Sequence, residues 1–156
     1  MSGVQYYIAW DSTALVAATA KTIIELPTPA NTCMQIVELV IGCDASTAGN
    51  LKIETGTFTT TGTGTAATPQ KYNGNPNIDS DITAAKVKDT VEPTGFSPGT
   101  VGGLLYPGLL IPLPMYFPFQ WPLGRELEIT ESINFGVRLT ASINCNTMGW
   151  ISWFSD

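Results

Sequence analysis

The chain contains no histidine. That removes the Ser-His-Asp triad, the Cys-His dyad and any His-based metal site. Charge is also scarce: 13% of the 156 residues are Asp, Glu, Lys or Arg, about half the ~25% of an average domain. The seven Lys and Arg are outnumbered by thirteen Asp and Glu, for a net charge of -6. The basic residues stand singly, from Lys21 to Arg138, so the chain lacks the basic footprint of a nucleic-acid binder. Missing too is a basic segment followed by an apolar core at the N-terminus, so no targeting leader is expected. The longest charge-free apolar run, 102–119, holds Pro107, Pro112, Pro114 and Pro118 and is not expected to span a membrane as a helix. Three cysteines, Cys33, Cys43 and Cys145, are expected as reduced, buried thiols. Cys33 and Cys43 flank one expected strand, which holds them about 30 Å apart and prevents a mutual disulfide.

What is present is apolar: 44% of residues are hydrophobic, too many for disorder. The length suits one domain that buries about 68–70% of its unfolded surface. The patterning is that of strands. Val4–Trp10, Lys21–Leu26, Met34–Gly42 and Leu51–Thr55 are rich in β-formers or alternate in polarity. Ile82–Val91, Glu126–Thr130, Ile133–Ile143 and Met148–Phe154 follow, with turn-forming clusters such as Asp44–Asn50 between strands. Only Thr13–Ala20 leans helical, and 59–68 and 72–80 read as loops. These features predict a single all-β domain, an antiparallel β-sandwich, jelly-roll-like with about eight strands.

Candidate chemistry is sparse. Asp79 with Asp81, or Glu126, Glu128 and Glu131, could supply a glycosidase pair, but Glu126 and Glu128 alternate with Leu127 and Ile129 as on a wet strand face. The Asn73–Asp81 oxygen cluster matches no EF-hand. Thr61–Thr65 alternates Thr and Gly but lacks the Lys and helix of a phosphate loop. Trp150, Trp153 and Phe154 could form a sugar-stacking platform, against the commoner use of aromatics in packing. No catalytic residue, cofactor or metal is expected.

The sharpest feature is 93–124: 32 residues with no charge and seven of the eleven prolines. It is expected as a long loop over one end of the sandwich or as an extended arm that packs on another subunit. Proline lowers the entropy lost on docking, and apolar, charge-depleted, aromatic-rich sequence marks an interface core. The expected interface residues are Leu104, Leu105, Tyr106, Leu109, Leu110 and Ile111, then Met115, Tyr116, Phe117 and Phe119, with Trp121 as an anchor and Arg125 as an ion-pairing group.

At Trp121-Pro122-Leu123-Gly124-Arg125-Glu126 the chain resembles a widespread family of small structural proteins of tailed bacteriophages and prophages. Weaker matches are Lys21–Ile24 leading to Ile36–Glu38, Ala66–Lys71, Glu92–Thr94, Phe135–Thr140 and the terminal strand with Trp153. The resemblance implies a virion component made in the host cytoplasm and placed on the capsid surface. It implies a cement or decoration protein, often a homotrimer, whose partners are the major capsid protein and its own copies, with no nucleic acid or membrane bound. A receptor- or carbohydrate-binding head-fibre or tail module is the alternative. In physical terms, Pro122 and Gly124 predict a turn entering a strand.

Overall fold

The computed structural model describes residues 4–72, 82–99 and 108–155. They form an antiparallel β-sandwich, with no helix among them. One sheet, A, contains β1 (Val4–Leu15), β3 (Met34–Asp44), β6 (Gln70–Lys71), β10 (Met115–Gln120), β11 (Leu127–Ile129) and β13 (Cys145–Ser155), in the order β10-β3-β13-β1-β6 with β11 also on β3. The other, B, contains β2 (Ala20–Pro27), β4 (Gly49–Thr57), β5 (Thr63–Ala66), β7 (Lys86–Val91), β8 (Ser97–Pro98), β9 (Leu109–Leu113) and β12 (Asn134–Ala141). Its order is β5-β7-β2-β12-β4-β8 with β9 also on β4. The ladders define a sandwich of thirteen described strands rather than the expected eight or so.

Period-2 alternation builds the core. From sheet A, Tyr6, Ile8, Trp10, Ile36, Leu39, Ile41, Ile151 and Trp153 are buried; from sheet B, Ile24, Leu26, Leu51, Ile53, Phe135, Val137 and Leu139. Trp153 is fully buried and stacks on Tyr6, with ring centroids 6.2 Å apart. Sequence parity thus separates the aromatic trio. Trp153 faces the core, whereas Trp150 and Phe154 stay partly exposed on the other face of β13.

Three local expectations change. Thr13–Ala20 is not helical: β1 continues to Leu15, and a tight turn follows with Ala18 at φ 57. Tertiary pairing overrides alanine's helix propensity here, because Thr13–Leu15 pair with Cys145–Thr147. Thr63–Ala66, expected within a loop, forms β5. The third change concerns 93–124. Its residues 109–120 are neither arm nor covering loop but two strands of the sandwich, β9 pairing with β4 in sheet B and β10 with β3 in sheet A. Pro114 alone links them, so this segment steps from one sheet to the other.

The Trp121–Glu126 block sits between two strands on one edge of β3. β10 covers Glu38–Cys43 and β11 covers Met34–Ile36. At the bulge between them, the Val37 carbonyl accepts the Trp121 N–H at 2.9 Å. Pro122–Arg125 closes a turn, with Arg125 N–H on the Pro122 carbonyl at 2.8 Å and Gly124 at φ 80. This is the type II pattern with glycine at its third position, and the turn expected from sequence is present. The excursion shifts the chain's register along β3.

Candidate functional site

The two outer faces of the sandwich differ. Sheet B's outer face is partly covered by the chain itself, with Leu110 and Lys52 left exposed at its margin. Gly136 on β12 leaves room for two rings: a Cβ there would stand 3.2 Å from Phe96 and 3.3 Å from Phe58. The Arg138 guanidinium lies 4.2 Å from the centroid of the Phe96 ring and donates to Glu54 Oε2 at 3.0 Å, while Lys52 Nζ meets Glu54 Oε1 at 2.9 Å. Burial works against the Glu54 charge, but hydrogen bonds and charge from Lys52 and Arg138 outweigh it and hold the carboxyl below its usual range. On the same face Glu92 accepts the Thr22 N–H at 2.7 Å.

Sheet A's outer face is open. Ladder partners place Ala9, Trp150, Val40 and Pro118 in one row across four strands, and Met148, Gly42 and Tyr116 in the next. Val40 is buried at the floor; Tyr116 and Met148 are 67% and 55% exposed. Trp150 is half-buried, its indole N–H held by Glu38 Oε2 at 3.2 Å. Beside it Tyr7 and Tyr72 meet edge to face, with centroids 6.1 Å apart. Tyr7, Tyr72, Ala9 and Trp150 line a shallow notch, and Trp150, Val40, Met148 and Tyr116 line an apolar depression next to it. Serine, glutamine and Glu38 occupy the row through Tyr7: Ser152, Glu38 and Gln120.

The expected interface residues divide between inside and outside. Leu109, Ile111, Met115, Phe117 and Phe119 pack against the chain's own core, and Leu113 between them is buried. Trp121, expected as an anchor in the core or at a subunit junction, takes the first place: it is 2% exposed and meets Phe119 edge to face at 4.7 Å. It anchors this chain's interior, where burying its ring stabilises by roughly 2–3 kcal/mol. Leu110, Tyr116 and Arg125 face outward. Leu104, Leu105 and Tyr106 lie outside the described residues, as do Asn73–Asp81. Sequence reasoning missed the outer-face role of Met148 and Tyr7; the available signal was Met148's shared parity with Trp150 on β13 and Tyr7's with Ala9 on β1.

Of the acidic candidates, Glu128 is exposed between buried Leu127 and Ile129. Glu126 accepts the Gly124 N–H and Glu131 the Asn31 N–H, at 3.0 and 2.9 Å, so both brace turns. Among the described residues no group of three or more metal-ligating side chains gathers. All three cysteines are free; Cys43 and Cys145 are buried, but Cys33, expected to be buried as well, is exposed just ahead of β3. Burial pushes the Cys43 thiol up to about 11 and raises that of Cys145. Comparison with protein-family models, with curated proteins and with solved structures finds no match.

Proposed function

We propose that this chain is a structural protein of a tailed-bacteriophage particle, a cement or decoration protein that holds head subunits together. In this reading it assembles as a homotrimer on the capsid surface and contacts the major capsid protein. One observation carries the holding role: sheet A's outer face presents Tyr116, Met148, Trp150, Tyr7 and Tyr72 to solvent in adjoining rows, whereas Phe58 and Phe96 of the chain's own loops cover part of sheet B's. Contiguous exposed apolar surface of this kind marks a contact site. The phage setting is supported by the resemblance centred on Trp121–Glu126. The turn in that block presents Leu123, 90% exposed, beside Arg125 at the edge of the same sheet.

Quantitative gel analysis of purified particles tests the assignment. A copy number close to that of the major capsid protein supports cement; a few copies per particle would sink it. The surface is tested separately by Tyr116→Lys and Met148→Lys. Both are expected to release the protein from capsids while leaving its own Tm within about 2 °C, since exposed substitutions cost little. The notch of Tyr7, Tyr72 and Trp150 favours a second reading, a carbohydrate- or receptor-binding module of a head fibre or tail, for which glycan-array binding lost in Trp150→Ala is the measurement.

A further inference from the structure

The covered face of sheet B buries two carboxyl groups against each other. Glu25 on β2 is 0% exposed and Asp89 on β7 is 2% exposed. Glu25 stands opposite Lys86 in the β2–β7 ladder. Lys88 takes φ 58, and the β5–β7 register shifts between Thr63 and Thr65. At this irregularity Asp89 lies under the Gly62-Thr63-Gly64 backbone. A Cβ on Gly64 would stand 2.2 Å from Asp89 Oδ1, and one on Gly62 2.9 Å from Oδ2. The carboxylate therefore fills the space that the two glycines leave.

The surrounding donors are engaged elsewhere. Gly62 N–H donates to Glu25 Oε1 at 2.7 Å, and Lys86 Nζ donates to the Gly62 carbonyl at 2.8 Å. Thr22 gives its N–H and its hydroxyl to Glu92. Glu25 Oε2 and both Asp89 oxygens are left with no N–H or O–H from the described residues, and the two carboxyl groups converge on Gly62, whose N–H Glu25 accepts and whose Cβ position lies 2.9 Å from Asp89 Oδ2. A hydrogen bond between carboxyl groups requires a proton on one of them. With all groups ionised, Glu25, Asp89 and Glu92 would face Lys86 alone, an uncompensated buried charge. β5 contributes only Thr, Gly and Ala, and Lys88 is turned to Asp11 on β1.

We propose that Glu25 and Asp89 share one proton, and that this proton is a pH-sensitive latch holding the Gly62–Gly64 segment and edge strand β5 onto the sandwich. Release is a simple deprotonation: the proton passes to water and leaves two carboxylates in contact. Burial first, then the hydrogen bond with Glu25 and the charges of Glu25 and Glu92, push Asp89 up to about 8 against the opposing pull of Lys86. The closed state therefore binds a proton that the open state releases above the ordinary carboxyl value of 3.8. The latch is strongest below that value, weakens as pH rises, and its contribution is gone above about 8. Lys86, an ammonium beside the pair, disfavours a divalent cation in the proton's place.

Amide hydrogen exchange from pH 5 to 9, corrected for intrinsic rates, tests this. Protection of residues 62–66 relative to β12 and β13 is expected to fall by up to about tenfold per pH unit, then level out above 8. Asp89→Asn supplies an amide donor to Glu25 without a titrating proton and is expected to flatten the profile. The same steep loss in Asp89→Asn would overturn the latch, as would millimolar calcium restoring protection of the unaltered protein at pH 8. Should Asp89→Asn fail to fold, carboxyl-carbon NMR of the unaltered protein decides: titration of Asp89 near 8 supports the shared proton, and titration in the ordinary carboxylate range refutes it.

Discussion

Gly149 and Gly124 show how one substitution acts through two different physical causes. A Cβ at Gly149 would lie 2.0 Å from the Val40 carbonyl oxygen and 2.8 Å from the Trp10 ring. Both are interior and neither can retreat, so Gly149→Ala is expected to cost about 3 kcal/mol or more through overpacking. Gly124 has nothing within 4 Å of its Cβ position, but its φ is +80. Gly124→Ala is expected to cost about 1–2 kcal/mol through left-handed strain alone, and Gly124→Asn less, because asparagine tolerates that region. Urea unfolding of the three variants measures this; equal losses for the two alanines would contradict the account. The thiols give a second test at this scale. Cys33 is exposed, whereas Cys43 is buried with its thiol pushed up to about 11. Thiolate is the reactive form, so iodoacetamide at pH 8 is expected to label Cys33 in the folded protein and all three cysteines in denaturant.

The charge-free segment is decided at the scale of elements. β10 and β9 are pairing partners of β3 and β4 at the sandwich margin, where open edges invite sheet growth and lysine is a common guard. Here proline replaces charge. Trp121 donates to Val37, so strand alternation aims the backbone nitrogens of Phe119 and Phe117 at β3 and that of Pro118 away from it. Pro118→Thr would restore an outward N–H on an edge with no charge to protect it. Increased self-association in sedimentation, with little change in Tm, is the expected result. Eight of the thirteen described strands could be read in the sequence, from Val4–Trp10 to Met148–Phe154, because alternation is local, whereas the short strands β5, β6 and β8 carry too few residues to show it. The Pro-rich strands could not: Pro112, Pro114 and Pro118 argue against pairing unless the strand lies at an edge, and edge position is a tertiary property.

Across the whole molecule, two buried carboxyl systems set opposite limits on pH. Glu54 has a folded-state value below its ordinary value of 4.5, so its contribution is present above 4.5 and is lost as pH falls through the folded value. Asp89 is raised from 3.8 to about 8, so its contribution is full below 3.8 and falls away as pH climbs toward 8. Stability is expected to peak in acidic solution, at about pH 4, and to decline on both sides. Thermal unfolding between pH 3 and 9 measures it, and Asp89→Asn is expected to remove only the alkaline decline.

The amino-acid sequence determined that this is an all-β chain, that histidine chemistry is absent and that Pro122–Gly124 turns. Each follows from residue identity or from a period of two. Only the tertiary structure decided which sheet face the chain covers and which it leaves open, that the 109–120 region divides between two sheets, and that Glu25 meets Asp89. Glu25 and Asp89 stand 64 residues apart, and no local pattern brings them together. Trp150 and Trp153 are equally hydrophobic in sequence; strand parity and the layer packed on each side assign one to an open surface and the other to the core.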